Sequence, residues 1–475
     1  MTGLADLWPF QLHAVEKGRN SLFFLCCDDM GSGKTYIGCG MDLVRREQSP
    51  GLSRTLVLAP ISTHQGSDSS WKETYERVTG LPAFVIDPKS RAWSWRQFEE
   101  YTEPCAFIMH YEAVRLMPEL HRFTWLHVIL DECHRIQNRK AIQTQQVKKL
   151  KTAYKLGLSG TPATTNPDKF WSVLNWLDRK EWSSYWKFRA LYIVDEPVYG
   201  ADGEIAGGGQ ARQIIGVQNV EQLHRRIEPY YIRRTKKQVL PDLPDKLPTS
   251  KRFVELGPEQ RAAYKSMKQD MIAWVKRMQA ETGSDEMTPI MAQNAAVKAL
   301  RLVQFADAYA VWDEETGKVK LSEPSSKLDE VMMILKENPD QQFAIWSAFR
   351  QMIDLVEVRL KKAGIGYSIV TGAIPSAERG AQIQAFQEGR NRIFIGTIAA
   401  GGVGITLTAT NMPIFIDRDR SPALNRQAED RHHRAGQKRE VQPIDIMARG
   451  TIDQTRLEQM EAKWSWILTL LGDNL

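Results

Sequence analysis

The chain has 475 residues, 42% hydrophobic and 25% charged, with a formal net charge of +6 at pH 7. That length provides core volume for two to four domains of an ordinary globular protein. No apolar run is long enough to span a bilayer, and the opening MTGLADLWPFQ lacks the basic start and apolar core of a signal peptide, so a cytoplasmic protein with no membrane partner is expected.

Taken in chain order, short apolar runs alternate with helical patterns twice. The first series is 22–27, 55–59, 105–109, 127–130 and 154–158, and the second is 343–346, 367–370, 392–396, 412–416 and 441–446. Such alternation predicts parallel sheets covered on both faces, hence two α/β lobes. Between the two series, residues 168–195 are rich in Trp and charge, 196–210 carry the glycines of a loop or hairpin, and 258–312 read as helical. The five cysteines, Cys26, Cys27, Cys39, Cys105 and Cys133, have no metal-ligand spacing and are odd in number, so they read as small core hydrophobes.

The first chemical signal is CCDDMGSGKT at 26–35. A predicted strand runs into a loop and then a helix start, which aims backbone N–H groups at an anion. Gly31 and Gly33 allow close backbone approach, Lys34 supplies charge for phosphates, and Thr35 offers a hydroxyl to Mg²⁺. A nucleoside triphosphate is expected here, although Asp28 stands where the pattern G-x-x-x-x-G-K-[ST] has Gly.

A Mg²⁺ site calls for a carboxylate at a neighbouring strand end. LHVILDECH at 126–134 supplies Asp131 for the metal and Glu132 to orient and deprotonate a water. In LSGTP at 158–162, Ser159 and Thr161 are hydroxyls suited to relay between that site and a bound polymer. Far along the chain, NRQAEDRHHRAGQ at 425–437 follows the glycine-rich AAGGVGITLT at 399–408. Its Arg431 and Arg434 are spaced i and i+3, on one face of a helical turn. Their planar guanidiniums suit charge on a transferring phosphoryl group.

In this order the motifs resemble those of the Swi/Snf-type ATPases of helicase superfamily two, across nearly the whole chain. LWPFQ at 7–11 resembles the glutamine motif, which places Gln11 at adenine. DDMGSGKT resembles motif I of that family, which carries an acidic residue at the position of Asp28; it implies Asp28, Met30, Gly31, Ser32, Gly33, Lys34 and Thr35 at the nucleotide. LVLAP, WKE and MHYEAV resemble motif Ia, its sequel and motif Ib, implying Pro60, Ser62 and Tyr111 near nucleic acid. DECH matches the DEAH box with Cys133 in place of Ala, and LSGTP matches motif III with Ser159 in place of Thr.

YYIRRTKKQVLPDLPDK at 230–246 resembles a segment distinctive of Swi/Snf proteins, while SSKLDEV and FAIWSAF resemble the start of a second lobe. GGVGITLT and QAEDRHHRAGQ match motifs V and VI, implying Gly404 and Gln427 at the nucleotide and Gly401, Gly402 and Thr406 on the polymer track. Two departures bear on coupling and substrate preference: Thr406 stands where the family usually has Asn, and RSP at 420–422 where it has Trp-Asn-Pro.

The resemblance implies an α/β protein of two RecA-like lobes, 1–250 with a helical insertion at about 165–230, and 251–475 with a helical protrusion at about 258–320. It implies ATP and Mg²⁺ as cofactors, and ATP-driven translocation on double-stranded DNA with remodelling of protein–DNA complexes. Its partners would be duplex DNA and a DNA-bound protein substrate or protein partner. The length leaves no room for reader, zinc-finger or nuclease domains, so a bare, monomeric motor of the kind a phage or bacterium encodes is expected. Two alternatives stand beside it. One is a strand-separating DNA or RNA helicase, against which the Arg-Arg-Thr-Lys segment (233–236) and HRAGQ argue. The other is an ATP-gated DNA clamp or loader that recruits a partner.

Overall fold

The computed structural model describes residues 3–65, 70–86, 100–197, 212–282, 289–313, 318–374, 376–401 and 405–473. The chain divides into two compact units, the first made of Met1–Ile193, Val217–Asp242 and Ser465–Leu475, the second of Val194–Gly216 and Leu243–Trp464.

The first unit holds β1 (Phe23–Cys26), β2 (Arg54–Leu58), β3 (Ala83–Val85), β4 (Cys105–Met109), β5 (Thr124–Asp131) and β6 (Lys151–Leu158). The small pair β7 (Ile193–Pro197) with β8 (Arg212–Val217) forms its own two-stranded sheet, almost wholly within the second unit. With β9 (Tyr231–Ile232), the strands β1 to β6 form a seven-stranded sheet, β3-β4-β2-β5-β6-β1-β9, parallel throughout. The central strands β2 and β4 are near-continuous apolar runs, as buried parallel strands are, whereas β6 is buried only at its end, Leu156–Leu158. Most of the glycine-rich stretch 196–210, read as a loop or hairpin, lies outside the described residues. The register decides what this sheet can do. Asp131 and Cys26 both pair with Leu158, so β5, β6 and β1 end side by side and their following loops leave from one edge.

The second unit contributes β10 (Ser250–Val254), the hairpin β11 (Tyr309–Asp313) and β12 (Lys318–Ser322), then β13 (Phe343–Ser347), β14 (Tyr367–Val370), β15 (Ile393–Thr397), β16 (Pro413–Phe415) and β17 (Ile444–Ala448). Its six-stranded sheet, β10-β17-β16-β13-β15-β14, is also parallel throughout. Two long helices, Pro258–Thr282 and Pro289–Asp307, pair with each other and with the hairpin, whose first strand takes up residues 309–312 that read as helical in the sequence. Both lobes are thus RecA-like α/β units, as expected. All five cysteines are free and buried. No described helix is long and apolar enough to cross a membrane.

A buried histidine gives the second lobe a pH dependence. His432 is fully buried; Trp346 Nε1 donates to its Nε2 at 3.1 Å, so Nδ1 carries the proton and donates to the Leu407 carbonyl at 3.1 Å. Burial outweighs the carbonyl contacts and lowers its pKa from 6.5 to about 4. The unfolded chain therefore binds more protons than the folded one in that window. Stability is full above pH 6.5 and is lost as pH falls toward 4, by roughly 3 kcal/mol in all. Chemical denaturation at stepped pH should show this loss, and His432→Gln should flatten it. Equal slopes in the two proteins would place the titration elsewhere.

Candidate nucleotide-binding site

β1 delivers the loop that ends at Gly33. Gly31 (φ 82°) and Gly33 (φ 72°) are left-handed, a conformation glycine adopts without steric cost. A Cβ on Gly33 would lie 2.6 Å from Gln11 Nε2. The helix Lys34–Gln48 begins immediately afterwards, and its first N–H groups have no partner within the helix. Lys34 folds back over the loop, its Nζ donating to the carbonyls of Asp28 at 2.8 Å and Asp29 at 3.1 Å. Gln11 ties in from the preceding helix: Nε2 donates to the Ser32 carbonyl at 3.2 Å, and Oε1 accepts from the Trp8 N–H at 2.9 Å. Among the described residues Ser32 Oγ is buried without a hydrogen-bond partner, the state of a group built to meet a ligand atom. Met30 packs so closely over Gly160 that a Cβ there would lie 2.7 Å from its Cγ.

Asp28 is placed differently from its neighbours. Its carboxylate is fully buried and faces Arg234, whose Nε donates to Oδ1 at 3.1 Å and whose Nη2 donates to Oδ2. The structure thus engages both oxygens of the Asp28 carboxylate with a partner inside the protein.

At the end of β5, Asp131 Oδ2 accepts the Trp71 indole N–H at 2.8 Å, and the Tyr111 hydroxyl donates to the Asp131 carbonyl at 2.7 Å. Burial, then the charge of Glu132, pushes the Asp131 carboxyl up to about 6. Glu132 itself is left-handed (φ 54°, ψ 54°), which for a non-glycine residue costs roughly 1–2 kcal/mol. Strain of this kind is characteristic of functional positions. Glu132 Oε2 accepts from Ser159 Oγ at 3.3 Å and lies 3.3 Å from His134 Nδ1, which is 3.1 Å from the same Ser159 Oγ. The Thr161 N–H also donates to Ser159 Oγ, at 3.2 Å. The acidic strand end and the LSGTP turn are therefore one hydrogen-bonded unit.

These oxygens fit a hard divalent cation. Two adjacent carboxylates repel one another, and a bound cation would relieve the repulsion. Among the described residues no group of three or more His, Cys, Asp or Glu side chains forms a cage. Magnesium requires none, because water and phosphate oxygens fill most of its octahedron.

In the second unit the helix Pro422–Asp430 runs into Arg431. Arg434 Nη1 donates to the Ile405 carbonyl at 3.0 Å and to Thr406 Oγ1 at 2.9 Å, while Arg431 Nη1 approaches the same carbonyl at 3.5 Å. The i, i+3 spacing thus brings both guanidiniums to one point. Burial lowers the Arg434 pKa from its ordinary value. Gln427 is buried within the helix, and Gly401 closes the short helix Ile398–Gly401. Gly402 and Gly404 lie outside the described residues.

Of the residues expected on the polymer track, Ser62 is half-buried and Pro60 buried, its carbonyl capped by Thr63 Oγ1 at 2.8 Å. Tyr111 requires a correction. It is fully buried with its hydroxyl on Asp131, so it supports the acidic strand end and offers no surface to a polymer. Sequence reasoning also passed over Trp71 and Arg234 as site residues, although both fall inside segments that carried the resemblance.

A phosphate loop, an acidic strand end and a hydroxyl-bearing turn at the ends of adjacent parallel strands, in a chain with two such lobes, define an ATPase core of helicase superfamily two. The chain belongs to the SNF2 family: the SNF2-related domain matches residues 12–302, and the helicase conserved C-terminal domain matches 326–436. It is 27% identical over 474 residues to the ISWI chromatin-remodeling complex ATPase CHR17 of Arabidopsis thaliana, covering 96% of this chain and 40% of that protein. It is also 27% identical over 471 residues to the SWI/SNF-related matrix-associated actin-dependent regulator of chromatin subfamily A member 1 of Homo sapiens, covering 96% and 42%. The chain thus spans about two-fifths of the length of these relatives. The crystal structure of the Pyrococcus furiosus Hef helicase domain shares the fold, with a TM-score of 0.53 at 14% identity over 95% of this chain and 97% of that one.

Proposed function

We propose that this chain hydrolyses ATP to translocate along double-stranded DNA and remodel protein–DNA complexes. The observation that carries the reading is the convergence of three strand ends, which brings the loop 27–33, the Asp131–Glu132 pair and Ser159 to one edge of one sheet. The loop N–H groups and Lys34 bind phosphates; Thr35 and Asp131 would hold Mg²⁺. When bound, that ion supplies positive charge to the phosphate oxygens. Glu132, held by Ser159, orients a water and takes its proton. Arg431 and Arg434 of the second unit stabilise charge on the transferring phosphoryl group.

Support for DNA comes from family membership, from relatives named for chromatin, and from a net charge of +6. The contacts would be to phosphates, which carry position and not sequence. ATP turnover measured with duplex DNA, single-stranded DNA and RNA, followed by triplex displacement with the best activator, tests the reading. Duplex DNA should stimulate most, and its affinity should fall with salt at a log–log slope of about −0.9 per phosphate contact. Stronger stimulation by RNA would refute the substrate, strand separation would make it a helicase, and slow turnover indifferent to DNA would make it a clamp.

A further inference from the structure

Asp28 is a buried carboxylate where phosphate loops of the general pattern have glycine, and a buried charge persists only when paired. Its partner lies 206 residues away in sequence. Arg234 places two nitrogens on the two carboxylate oxygens and a third on the Phe10 carbonyl at 2.6 Å, beside the Gln11 that holds the Ser32 carbonyl.

The adjacent residues grip the loop in the same way. Arg233 Nη1 donates to the Cys27 carbonyl at 2.7 Å, and its Nη2 lies 2.7 Å from both Asp29 Oδ1 and Asp473 Oδ2. The Cys27 N–H donates to the Ile232 carbonyl at 2.7 Å and the Asp29 N–H to the Arg234 carbonyl at 3.0 Å. The Lys236 N–H closes the set on Asp29 Oδ2 at 2.9 Å. Residues 27, 28 and 29 are therefore each fastened from behind by one short segment, 232–236. The carbonyls that hold Lys34 Nζ belong to two of the three, Asp28 and Asp29.

We propose that Arg234 is a positioning residue for ATP binding and that Asp28 is its anchor. The pair fixes the spacing of the phosphate loop, and with it the resting place of Lys34, and links the loop to the glutamine motif through Phe10. This role presupposes ATP at the loop, as proposed above. It explains the acidic residue at position 28: glycine there would leave a cation behind the loop with no carboxylate to meet.

The test is a double-mutant cycle on Mg·ATP turnover and on binding of a fluorescent ATP analogue. Arg234→Lys keeps the charge but loses the planar fork, so it should raise KM about tenfold while kcat stays within about threefold. Asp28→Asn should do the same, and the double variant should be no worse than the poorer single variant, within about threefold. Asp28→Gly, which restores the general pattern, should bind ATP as weakly as Asp28→Asn. Unchanged KM in the single variants, or effects that multiply in the double, would overturn the pairing. So would losses of kcat that track a lowered melting temperature of the nucleotide-free protein, which mark a purely structural contact. Failure of the unaltered protein to bind Mg·ATP, or normal binding by Lys34→Ala, would instead refute the nucleotide reading itself.

Discussion

Arg434→Ala is expected to slow ATP hydrolysis about a thousandfold or more, or some 4 kcal/mol of transition-state stabilisation. ATP affinity should change far less, because the charge this guanidinium answers develops only as the phosphoryl group transfers. Its Nη1 donates to two neutral groups, the Ile405 carbonyl and Thr406 Oγ1, and Asp430 is the charge that acts on it. With Arg434 removed, Asp430 still has Lys246 Nζ at 4.0 Å, so the lobe should keep its fold. Arg434→Lys retains a point charge without the planar fork and should recover only part of the rate. Single-turnover phosphate release gives the rate and nucleotide titration the affinity. Normal hydrolysis by Arg434→Ala would make the guanidinium a structural brace between residues 405 and 434.

Much of the scaffold was legible because buried parallel strands are continuous apolar runs. Cys105–Met109 and Tyr367–Val370 match their predicted bounds to the residue. The strands that escaped lack that signature for physical reasons. β10, SKRFV, is mostly exposed and pairs only with β17 at the sheet edge, so it has no need of an apolar run. β9 is two residues long, and β3 is three; both sit at edges, where few apolar positions suffice.

The site divides along the same line. Lys34, Asp131, Glu132 and Ser159 were legible because each motif is local and follows its own strand. The supports were not. Trp71 reaches Asp131 across 60 residues, and Arg234 reaches Asp28 across 206. No periodicity or spacing encodes which distant side chain will meet a given carboxylate; the sheet order decides that. Tyr111 illustrates the cost, since a tyrosine after a strand looks equally suited to a polymer and to the underside of its neighbour.

Asp131 and Glu132 are adjacent, yet replacing them should have different consequences. Asp131 would hold the metal ion, so Asp131→Ala should weaken Mg·ATP binding and hydrolysis together, and it also strips the Trp71 indole N–H of its acceptor. That orphaned donor carries its own penalty of about 1–3 kcal/mol, so the melting temperature should fall as well. Glu132→Gln keeps the side chain's shape, its left-handed backbone and an oxygen for Ser159 Oγ, and removes only the base. It should lower turnover by about a hundred- to ten-thousandfold while still binding Mg·ATP and DNA, so that the ATP-bound form accumulates. Nucleotide titration and single-turnover phosphate release on both variants measure the two halves. Loss of ATP binding by Glu132→Gln as severe as that by Asp131→Ala would show that the two carboxylates act as one metal site. Normal hydrolysis by Glu132→Gln would place the base elsewhere, with His134 as the next group to replace, because its Nδ1 lies 3.1 Å from the same Ser159 hydroxyl.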